Sequence, residues 1–452
     1  MIILPEAFAK NMKLILGDEF QDFEKALQSE VPISIRINPA KSLENLQLDI
    51  DSDVPWSHFG NYLKSRPVFT LDPSFHAGAY YVQEASSMFL EEVFRQTAPQ
   101  KESLRVLDLC GAPGGKSTHL ASLLTENDLL VSNEVIKSRL GVLKENLQKW
   151  GFSNVIVSNQ DPETFADLEG FFDVVVVDAP CSGEGLFRKD PNAMSEWSEN
   201  HVQMCSARQK RILSAAAMLV APGGVLIYST CTYNPYENQE NAAWLCRTLD
   251  FDPVKLTLNP EWKVAEKGGG YQFFPHKTRG EGFFISAFRN LSNDRRYAKA
   301  RINLNHLSRE LTEVVKPWIK ATKVDNYEFY KKEDGNIVAI KASLLSDFGS
   351  VMKALNRRSS GLEIGIFKGK DFIPSHAFAL SDLINPDLDA VELNRDNALK
   401  FLKKEAFEMP QEANDGWLVM QYSGLNLGWV KKIGGRVNNY LPTEWRIRME
   451  IE

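Results

Sequence analysis

The stretch L-R-V-L-D-L-C-G-A-P-G-G-K-S, from Leu104 to Ser117, decides the fold. Its first half is a short apolar run typical of a buried strand, and residues 116–124 after the glycines predict a helix. Glycine has no Cβ atom, so a ligand can approach this backbone closely, and the helix start offers unpaired N–H groups. The stretch therefore predicts the first half of a βαβ unit, with a ligand-binding loop between strand and helix.

Three kinds of ligand compete for this loop. A dinucleotide loop requires G-x-G-x-x-G, which the sequence does not match after Gly111. The phosphate loop of an NTPase ends in G-K-[ST], as here, but Cys110 occupies the position of its first glycine. An apolar strand that ends at Asp178 keeps this alternative open, because NTPases also carry such an acidic strand end. S-adenosylmethionine, the third ligand, needs an acidic residue after the next strand to hold the ribose, and Glu134 supplies it. We favour the third.

Composition and charge limit the class of protein. A chain of 452 residues, 43% apolar and 25% charged, predicts a soluble globular protein of two to four domains. The five cysteines form no C-x-x-C pair, so we expect a reducing cytoplasm and neither a disulfide framework nor a zinc site. The sequence shows no signal peptide and no apolar run long enough for a membrane span. The net charge of −7 argues weakly against a nucleic-acid partner, although basic residues can cluster on one face.

Residues 1–90 are predicted to be a separate N-terminal segment. Apolar residues between Pro5 and Leu27 have helical spacing, and the alternation from Pro32 to Pro39 predicts a strand. Arg36 in this strand is a candidate contact to an RNA phosphate, with a solvated surface arginine as the alternative.

Residues 91–290 alternate between strand and helix patterns, which predicts a parallel sheet covered by helices. In such sheets ligands bind at the carboxyl ends of the strands. The residues with possible chemistry all follow predicted strands: the glycine loop, Glu134, Asp161, Asp178 with Cys181, and Cys231. This convergence predicts one site at a single edge of the sheet.

A helix is predicted to start directly after Cys231. In Asn234-Pro235-Tyr236-Glu237, the asparagine would be the N-cap, the proline would open the first turn and Glu237 would complete a capping box. Cys231 would then lie in the short loop between the preceding strand and this helix.

The alternation stops after Arg289. Residues 290–299 are polar and are predicted to be a linker, and residues 300–385 form a mixed segment whose role the pattern does not reveal. Residues 390–452 predict a small β-domain with a hairpin at Gly434-Gly435. Between positions 428 and 448, five basic residues and one glutamate are interleaved with aromatic residues, which predicts RNA binding, with a solvated hairpin as the alternative. The candidate contacts are Lys431, Lys432 and Arg436.

Two cysteines differ from the other three. Cys181 and Cys231 each follow a strand at the predicted binding edge, whereas Cys205 and Cys246 are expected to pack as small apolar residues. A thiolate at this edge can attack an electrophilic carbon if cations or helix N-termini lower its pKa. The residues alone do not decide which of the two would act.

The motifs at 108–117, 178–183 and 229–232 resemble those of the RNA cytosine-5 methyltransferases of the Sun (NSUN) family, over residues 31–290. The C-terminal motifs G-W-x-V and L-G-W-x-K resemble the PUA-like domain of the bacterial 16S rRNA methyltransferases of the RsmF (YebU) group. Two positions depart from the usual loop, Gly111 where alanine is common and Ser117 where threonine is common. Both are changes between small residues.

The resemblance implies an α/β fold: a Rossmann-like methyltransferase core with a small N-terminal α+β domain and C-terminal domains ending in a PUA-like β-domain. The implied boundaries are 1–90, 91–290, 300–385 and 390–452. The implied reaction transfers the methyl group of S-adenosylmethionine to C5 of a cytosine in RNA, with 16S rRNA as the expected substrate and tRNA as the alternative. A P-loop NTPase and a non-catalytic RNA-binding protein are the alternatives from other classes.

The resemblance also assigns roles to individual residues. Cys231 would attack C6 of the cytosine and Cys181 would assist release, although DNA cytosine methyltransferases attack from a Pro-Cys pair like Pro180-Cys181. Asp178, beside Lys116, would contact the cytosine amino group and the methionine end of the cofactor. The remaining cofactor contacts would be Cys110, Gly111, Ala112, Pro113, Gly114, Gly115, Glu134 and Asp161. We expect a cytoplasmic monomer that binds RNA, with no metal ion and no membrane contact.

Overall fold

A ten-stranded sheet occupies the centre of the protein, for which a computed structural model describes residues 3–41, 46–293, 304–355 and 359–450. Three further sheets of four strands each follow the order of the predicted segments. Among the helices of these described ranges, none combines the length and the apolar character needed to cross a lipid bilayer.

The N-terminal segment forms three helices, the last of only four residues, and the first four-stranded sheet, in the strand order β2-β3-β1-β4. The predicted helical stretch is divided at Gly17, whose φ of +56° ends the first helix. The apolar sides of the first two helices pack against loops at one edge of the central sheet, including Phe187, Trp197 and Tyr233. The elements are α1 (Glu6–Leu16), α2 (Phe20–Leu27), β1 (Ile33–Ile37), β2 (Ile50–Asp53), β3 (Gly60–Leu63), α3 (Pro73–His76) and β4 (Tyr80–Val82).

The central sheet contains the predicted β/α alternation. Its elements are α4 (Leu90–Thr97), β5 (Arg105–Asp108), α5 (Gly115–Leu123), β6 (Leu129–Asn133), α6 (Lys137–Trp150), β7 (Val155–Ser158), β8 (Phe172–Asp178), α7 (Pro191–Glu196), α8 (Glu199–Leu219), β9 (Val220–Thr230), α9 (Gln239–Thr248), β10 (Phe251–Pro253), β11 (Ala265–Lys267), β12 (Gly270–Phe273) and β13 (Phe283–Asn290). Strand β9 begins at Val220, where it pairs with Phe172 of β8, and the pairing continues across a register shift.

The order of the parallel strands creates a crevice. Strands β5 to β9 run parallel in the order β9-β8-β5-β6-β7, and β13 lies antiparallel to β9. After β5 the chain adds β6 and β7 on one side of β5, and it then crosses back to place β8 on the other side. In open α/β sheets such a reversal opens a ligand site outside the carboxyl ends of the two strands. Here those ends are Asp108 and Asp178.

The segment at residues 300–385, called the third segment below, packs onto the central sheet, a role that its sequence pattern did not reveal. It forms the sheet β14-β15-β17-β18, and its strand β16 pairs antiparallel with β7. Tyr330, Val338 and Phe348 share one apolar core with β5, β6 and β8. Of the predicted linker, residues 294–299 lie outside the described residues. The elements are α10 (Arg309–Val315), β14 (Tyr327–Lys331), β15 (Asn336–Lys341), α11 (Leu345–Ala354), β16 (Ser359–Ser360), β17 (Leu362–Lys368), β18 (Asp371–Pro374) and α12 (His376–Ala379).

The C-terminal segment forms the fourth sheet, in the order β19-β20-β21-β22, and contains the predicted hairpin. Trp429 is fully buried and donates a hydrogen bond of 2.9 Å to the carbonyl of Ser375 in the third segment. Ile35 of the first sheet and Leu418 of the fourth belong to one apolar core. The elements are β19 (Ala390–Glu392), α13 (Arg395–Lys403), β20 (Gly416–Tyr422), β21 (Leu425–Ile433) and β22 (Arg436–Asn439).

Candidate active site

The glycine loop connects β5 to α5 as predicted. Gly114 has a φ of +120°, a conformation that favours glycine, and α5 begins at the next residue. The Ser117 hydroxyl donates to Asp108 over 2.6 Å and lies 2.7 Å from the hydroxyl of Ser132. A Cβ atom at Gly111 would lie 2.4 Å from that Ser132 oxygen, so the local packing requires glycine there. Because Ser117 is buried in these contacts, it is not placed like the metal-binding serine of a P-loop.

The position of Arg36 contradicts the prediction that it contacts an RNA phosphate. It is fully buried, so it is neither a surface side chain nor placed to contact RNA. Its guanidinium donates to Thr118 Oγ1 over 2.6 Å and to Gln83 over 2.8 Å, and it lies 4.5 Å from the ring centroid of Trp150. Burial lowers the pKa of Arg36 to about 9. The alternating pattern identified the strand, but it could not show that α5 covers this face. Arg36 therefore supports the start of α5 and thereby the glycine loop.

Glu134 and Asp161 both lie at the predicted edge. Glu134 is 3% exposed; one oxygen accepts a hydrogen bond from the Ile136 N–H at 2.8 Å, and the other lies 3.6 Å from a guanidinium nitrogen of Arg139. Asp161 is half-buried and accepts a hydrogen bond from the Glu163 N–H at 3.1 Å, which caps a short 3-10 turn. Asp161 thus also has a structural role, as a helix cap.

An ion pair occupies the crevice between β5 and β8. Lys116 Nζ lies 2.9 Å from Asp178 Oδ2, and the hydroxyl of Ser229 donates to Asp178 Oδ1 at 2.8 Å. Burial opposes the charge of Lys116, but the negative charges of Asp178, Asp108 and Cys231 together raise the pKa of Lys116 above its ordinary value. Burial and the charge of Asp178 raise the pKa of Asp108 to about 7. Because the pKa of Lys116 is raised, Lys116 stays charged at neutral pH.

The side chains of Cys181 and Cys231, at the ends of two neighbouring strands, are in contact. Their sulfur atoms lie 2.9 Å apart, both are free thiols, and the Cys231 N–H donates to Cys181 Sγ at 3.3 Å. The contact with Cys231, together with burial and the charge of Glu237, raises the pKa of Cys181 well above its usual range. The raised pKa favours the neutral thiol of Cys181, which is in contact with the sulfur of Cys231.

The predicted capping box after Cys231 is wrong. Helix α9 begins at Gln239, and residues 235–238 form a turn. Asn234 Oδ1 accepts from Tyr236 N–H at 3.0 Å, whereas the carboxylate of Glu237 faces the Cys181 loop and accepts the N–H of Ser182 at 2.9 Å. A tertiary contact has therefore replaced the local one. Glu237 is a site residue that its sequence pattern placed in a different role.

The other cysteines and the basic tail residues lie elsewhere. Cys205 is buried and Cys246 half-buried, and Cys110 contacts the same apolar core as Cys246; burial raises the pKa of Cys110. Lys431, Lys432 and Arg436 lie on β21 and β22 of the fourth sheet.

Three family models match the chain. They are the N-terminal domain of 16S rRNA methyltransferase RsmF over residues 4–85, 16S rRNA methyltransferase RsmB/F over residues 96–289, and the methyltransferase RsmF PUA domain over residues 389–447. Ribosomal RNA small subunit methyltransferase F of Pectobacterium carotovorum subsp. carotovorum (strain PC1) is 30% identical, over 98% of this chain and 95% of that relative. The chain belongs to the RsmB/F family of 16S rRNA methyltransferases.

Other relatives agree with this assignment. The protein of the same name from Vibrio vulnificus (strain YJ016) is 29% identical to this RsmB/F chain over 98% of both sequences. A methyltransferase homolog protein from Pyrococcus horikoshii has a similar structure, with 27% identity and a TM-score of 0.55, over 64% of this chain and 95% of that one. NSun6 from Pyrococcus horikoshii, solved with SFG, shares the fold at 21% identity and a TM-score of 0.55, over 64% of this chain and 99% of that one.

The predicted family, fold and cofactor are thereby confirmed. RsmB/F proteins are S-adenosylmethionine-dependent RNA cytosine-5 methyltransferases, and this chain is such an enzyme, with a Rossmann-like core and a C-terminal PUA domain. The residues at the crevice fit this cofactor. The loop from Cys110 to Gly115 brings its backbone to the crevice, Glu134 offers carboxylate oxygens suited to ribose hydroxyls, and Asp178 offers them to an α-amino group.

Proposed function

We propose that this RsmB/F protein methylates C5 of a cytosine in 16S rRNA through a covalent adduct between Cys231 and C6 of the base. The observation that carries the proposal is the contact between the thiols of Cys181 and Cys231, beside the ion pair of Lys116 and Asp178, at the carboxyl edge of the sheet. C5 of cytosine is a poor nucleophile until a thiolate adds to C6, and a pair of thiols at this edge supplies both a nucleophile and a neighbour that controls its proton.

The surroundings of Cys181 raise its pKa and favour its neutral thiol. Because the contact with Cys231 and burial both raise this pKa, we assign Cys231 as the nucleophile of the pair. The charge of Cys231 contributes to the raised pKa of Lys116, so the ammonium of Lys116 attracts a thiolate at Cys231. The Cys231 thiolate therefore forms the bond to C6, and the electron pair displaced from the C5–C6 double bond makes C5 nucleophilic.

Release follows methyl transfer. Bound S-adenosylmethionine supplies an electrophilic methyl group on its sulfonium. Once C5 carries the methyl group, its proton must leave and the bond from Cys231 to C6 must break, which restores the C5–C6 double bond. Cys181 is in contact with the departing sulfur, and we assign it to this step: its thiol gives a proton to the Cys231 sulfur as the bond to C6 breaks, and the resulting Cys181 thiolate takes the proton from C5. Asp178 accepts from the amino group of the cytosine or from the α-amino group of the cofactor.

Glu134 is assigned to the ribose of the cofactor and Asp161 to the adenine amino group. We expect Glu134→Ala to weaken S-adenosylmethionine binding about 10- to 100-fold, because two hydrogen bonds to a carboxylate would be lost. Calorimetry with S-adenosylmethionine measures this, and Glu163→Ala, which removes an exposed carboxylate nearby, is the matched control. An unchanged affinity in Glu134→Ala would remove Glu134 from the cofactor site.

The C-terminal hairpin is assigned to RNA binding. Lys431 Nζ lies 5.4 Å from the ring centroid of Trp417, and Arg436 is exposed. Lys432 is less available, because it lies 3.2 Å from a carboxylate oxygen of Asp415 and donates to the Ala413 carbonyl. Lys431 and Arg436 are thus the stronger candidates for phosphate contacts.

Reversing both charges tests this surface. We expect the double variant Lys431→Glu, Arg436→Glu to bind RNA about 10-fold more weakly at moderate salt and to reduce the slope of log affinity against log salt by about 1.5. The double variant Lys368→Glu, Lys370→Glu is the matched control, since both lysines are exposed on the hairpin of β17 and β18. Equal losses in both double variants would show a general charge effect and would reject the assignment.

The remaining assignments concern organisation and substrate. We propose that the protein is a cytoplasmic monomer with domain boundaries near 1–90, 91–290, 300–385 and 390–452.

Incubation with tritiated S-adenosylmethionine and either 16S rRNA or tRNA, followed by digestion to nucleosides, tests the reaction. We expect labelled 5-methylcytidine from 16S rRNA. Label confined to tRNA would establish the alternative substrate, and the absence of labelled 5-methylcytidine from both would contradict the proposal.

A further inference from the structure

Two buried glutamates lie in the loops that carry the cysteines, and each accepts hydrogen bonds from the loop of the other cysteine. Glu184 follows Cys181 in the loop after β8, and Glu237 follows Cys231 in the loop after β9. Both side chains are almost inaccessible, at 1% and 0% exposure. A buried carboxylate is costly unless hydrogen bonds satisfy its oxygens, so the partners of these two show what they do.

Glu184 holds the loop of the other cysteine. Its carboxylate accepts the hydroxyl of Thr232 at 2.7 Å, the N–H of Tyr233 at 3.1 Å and the side-chain amide of Asn234 at 3.1 Å. These three donors directly follow Cys231. A further bond of 2.9 Å from Trp197 Nε1 completes the set around Glu184.

Glu237 makes the opposite connection. Its carboxylate accepts the N–H of Ser182 at 2.9 Å and the hydroxyl of the same serine at 2.5 Å. Gln209 adds a third bond at 2.8 Å, and the same amide group donates to the carbonyl of Pro180 at 3.0 Å. These bonds fix the backbone on both sides of Cys181.

We infer that Glu184 and Glu237 are positioning residues that set the contact between the two thiols, each acting on the cysteine of the opposite loop. This inference rests on the proposed roles of the two cysteines. The Gly185 N–H, which donates to the carbonyl of Cys231 at 2.9 Å, is a third link across the same two loops. Burial raises the pKa of Glu184, and it raises that of Glu237 to about 7, so the pair is held against an electrostatic cost.

Because each glutamate acts on the cysteine of the opposite loop, a change in Glu184 should affect the step of Cys231, and a change in Glu237 should affect the step of Cys181. Glu184→Gln replaces an acceptor oxygen by an amide and loosens the Cys231 loop, so we expect the covalent RNA adduct to form about 10²-fold more slowly. Glu237→Gln loosens the Cys181 loop, so the adduct should form at close to the normal rate and be released about 10²-fold more slowly. Affinity for S-adenosylmethionine should be unchanged in both variants. Single-turnover reactions resolved on denaturing gels separate the two steps.

The matched control is Asp128→Asn. Asp128 is also a buried carboxylate, and it accepts from the N–H groups of Leu104 and Thr125 at 2.6 and 2.7 Å, at the opposite edge of the sheet. It should change neither step. Thr232→Val and Ser182→Ala remove one donor to each glutamate; they should reproduce the same exchange with effects of about 10-fold, and they serve if a glutamine variant does not fold.

Alkylation of the free protein separates this inference from the proposed function. Without RNA, Glu184→Gln should alter the alkylation rate of Cys231 and Glu237→Gln that of Cys181, each by about 10-fold or more, as measured by peptide mass spectrometry. If wild-type protein formed no adduct, the proposed function would fail while this measurement still tested the crossing. Variants that affect both cysteines equally, or mainly the cysteine of their own loop, would overturn the inference.

Discussion

Replacing Cys231 with alanine should abolish both methylation and the covalent RNA adduct. The nucleophile is the group whose loss leaves no alternative route, because C5 stays unreactive unless a thiolate adds to C6. We expect the rate to fall by at least about 10⁴-fold, the scale of nucleophile deletions in other enzymes that use covalent catalysis. Labelled methyl incorporation into RNA and a denaturing gel for the adduct are the two measurements.

Cys181 is not expected to replace Cys231. Without its contact to Cys231 the pKa of Cys181 loses its largest upward cause, but burial and Glu237 still favour the neutral thiol. Cys246→Ala is the matched control, because Cys246 is a half-buried thiol that packs against the apolar core. Full activity in Cys231→Ala would show that the attack comes from the Pro180-Cys181 pair, as in DNA cytosine methyltransferases.

The strand ends were predictable because each depends on local sequence. An apolar run that stops at glycine, proline or an acidic residue marks the end of a buried strand, and parallel strands bring such ends to one edge. This reasoning placed Asp178, Cys181 and Cys231 in one crevice, and the structure agrees. It needed no knowledge of how the helices pack.

Contacts between distant segments were not predictable in the same way. Arg36 has the pattern of an exposed strand residue, yet Thr118 of α5, 82 positions away, and Trp150 enclose it. Glu237 occupies a capping-box position, yet Ser182, 55 positions away, receives its carboxylate. The role of the segment from 300 to 385 was not predicted, because it depends on an apolar core that this segment shares with the central sheet. In each case tertiary packing overrode the local preference.

Replacing Cys181 with alanine should have the opposite signature to the loss of Cys231. The attack remains possible, since Cys231 is still present, but the group in contact with the departing sulfur is gone. We expect the adduct to accumulate in nearly stoichiometric amounts as a slowly migrating band, while turnover falls by about 10³-fold or more.

The double variant Cys181→Ala, Cys231→Ala decides between trapping and an unrelated modification. If the band of Cys181→Ala is the Cys231 adduct, the second substitution must remove it, and heating in denaturant must not. If the band instead appeared in Cys231→Ala and was absent from Cys181→Ala, the roles of the two thiols would be reversed. That reversal would make Cys181 the attacking group, although its contact with Cys231, its burial and the charge of Glu237 all raise its pKa and favour the neutral thiol.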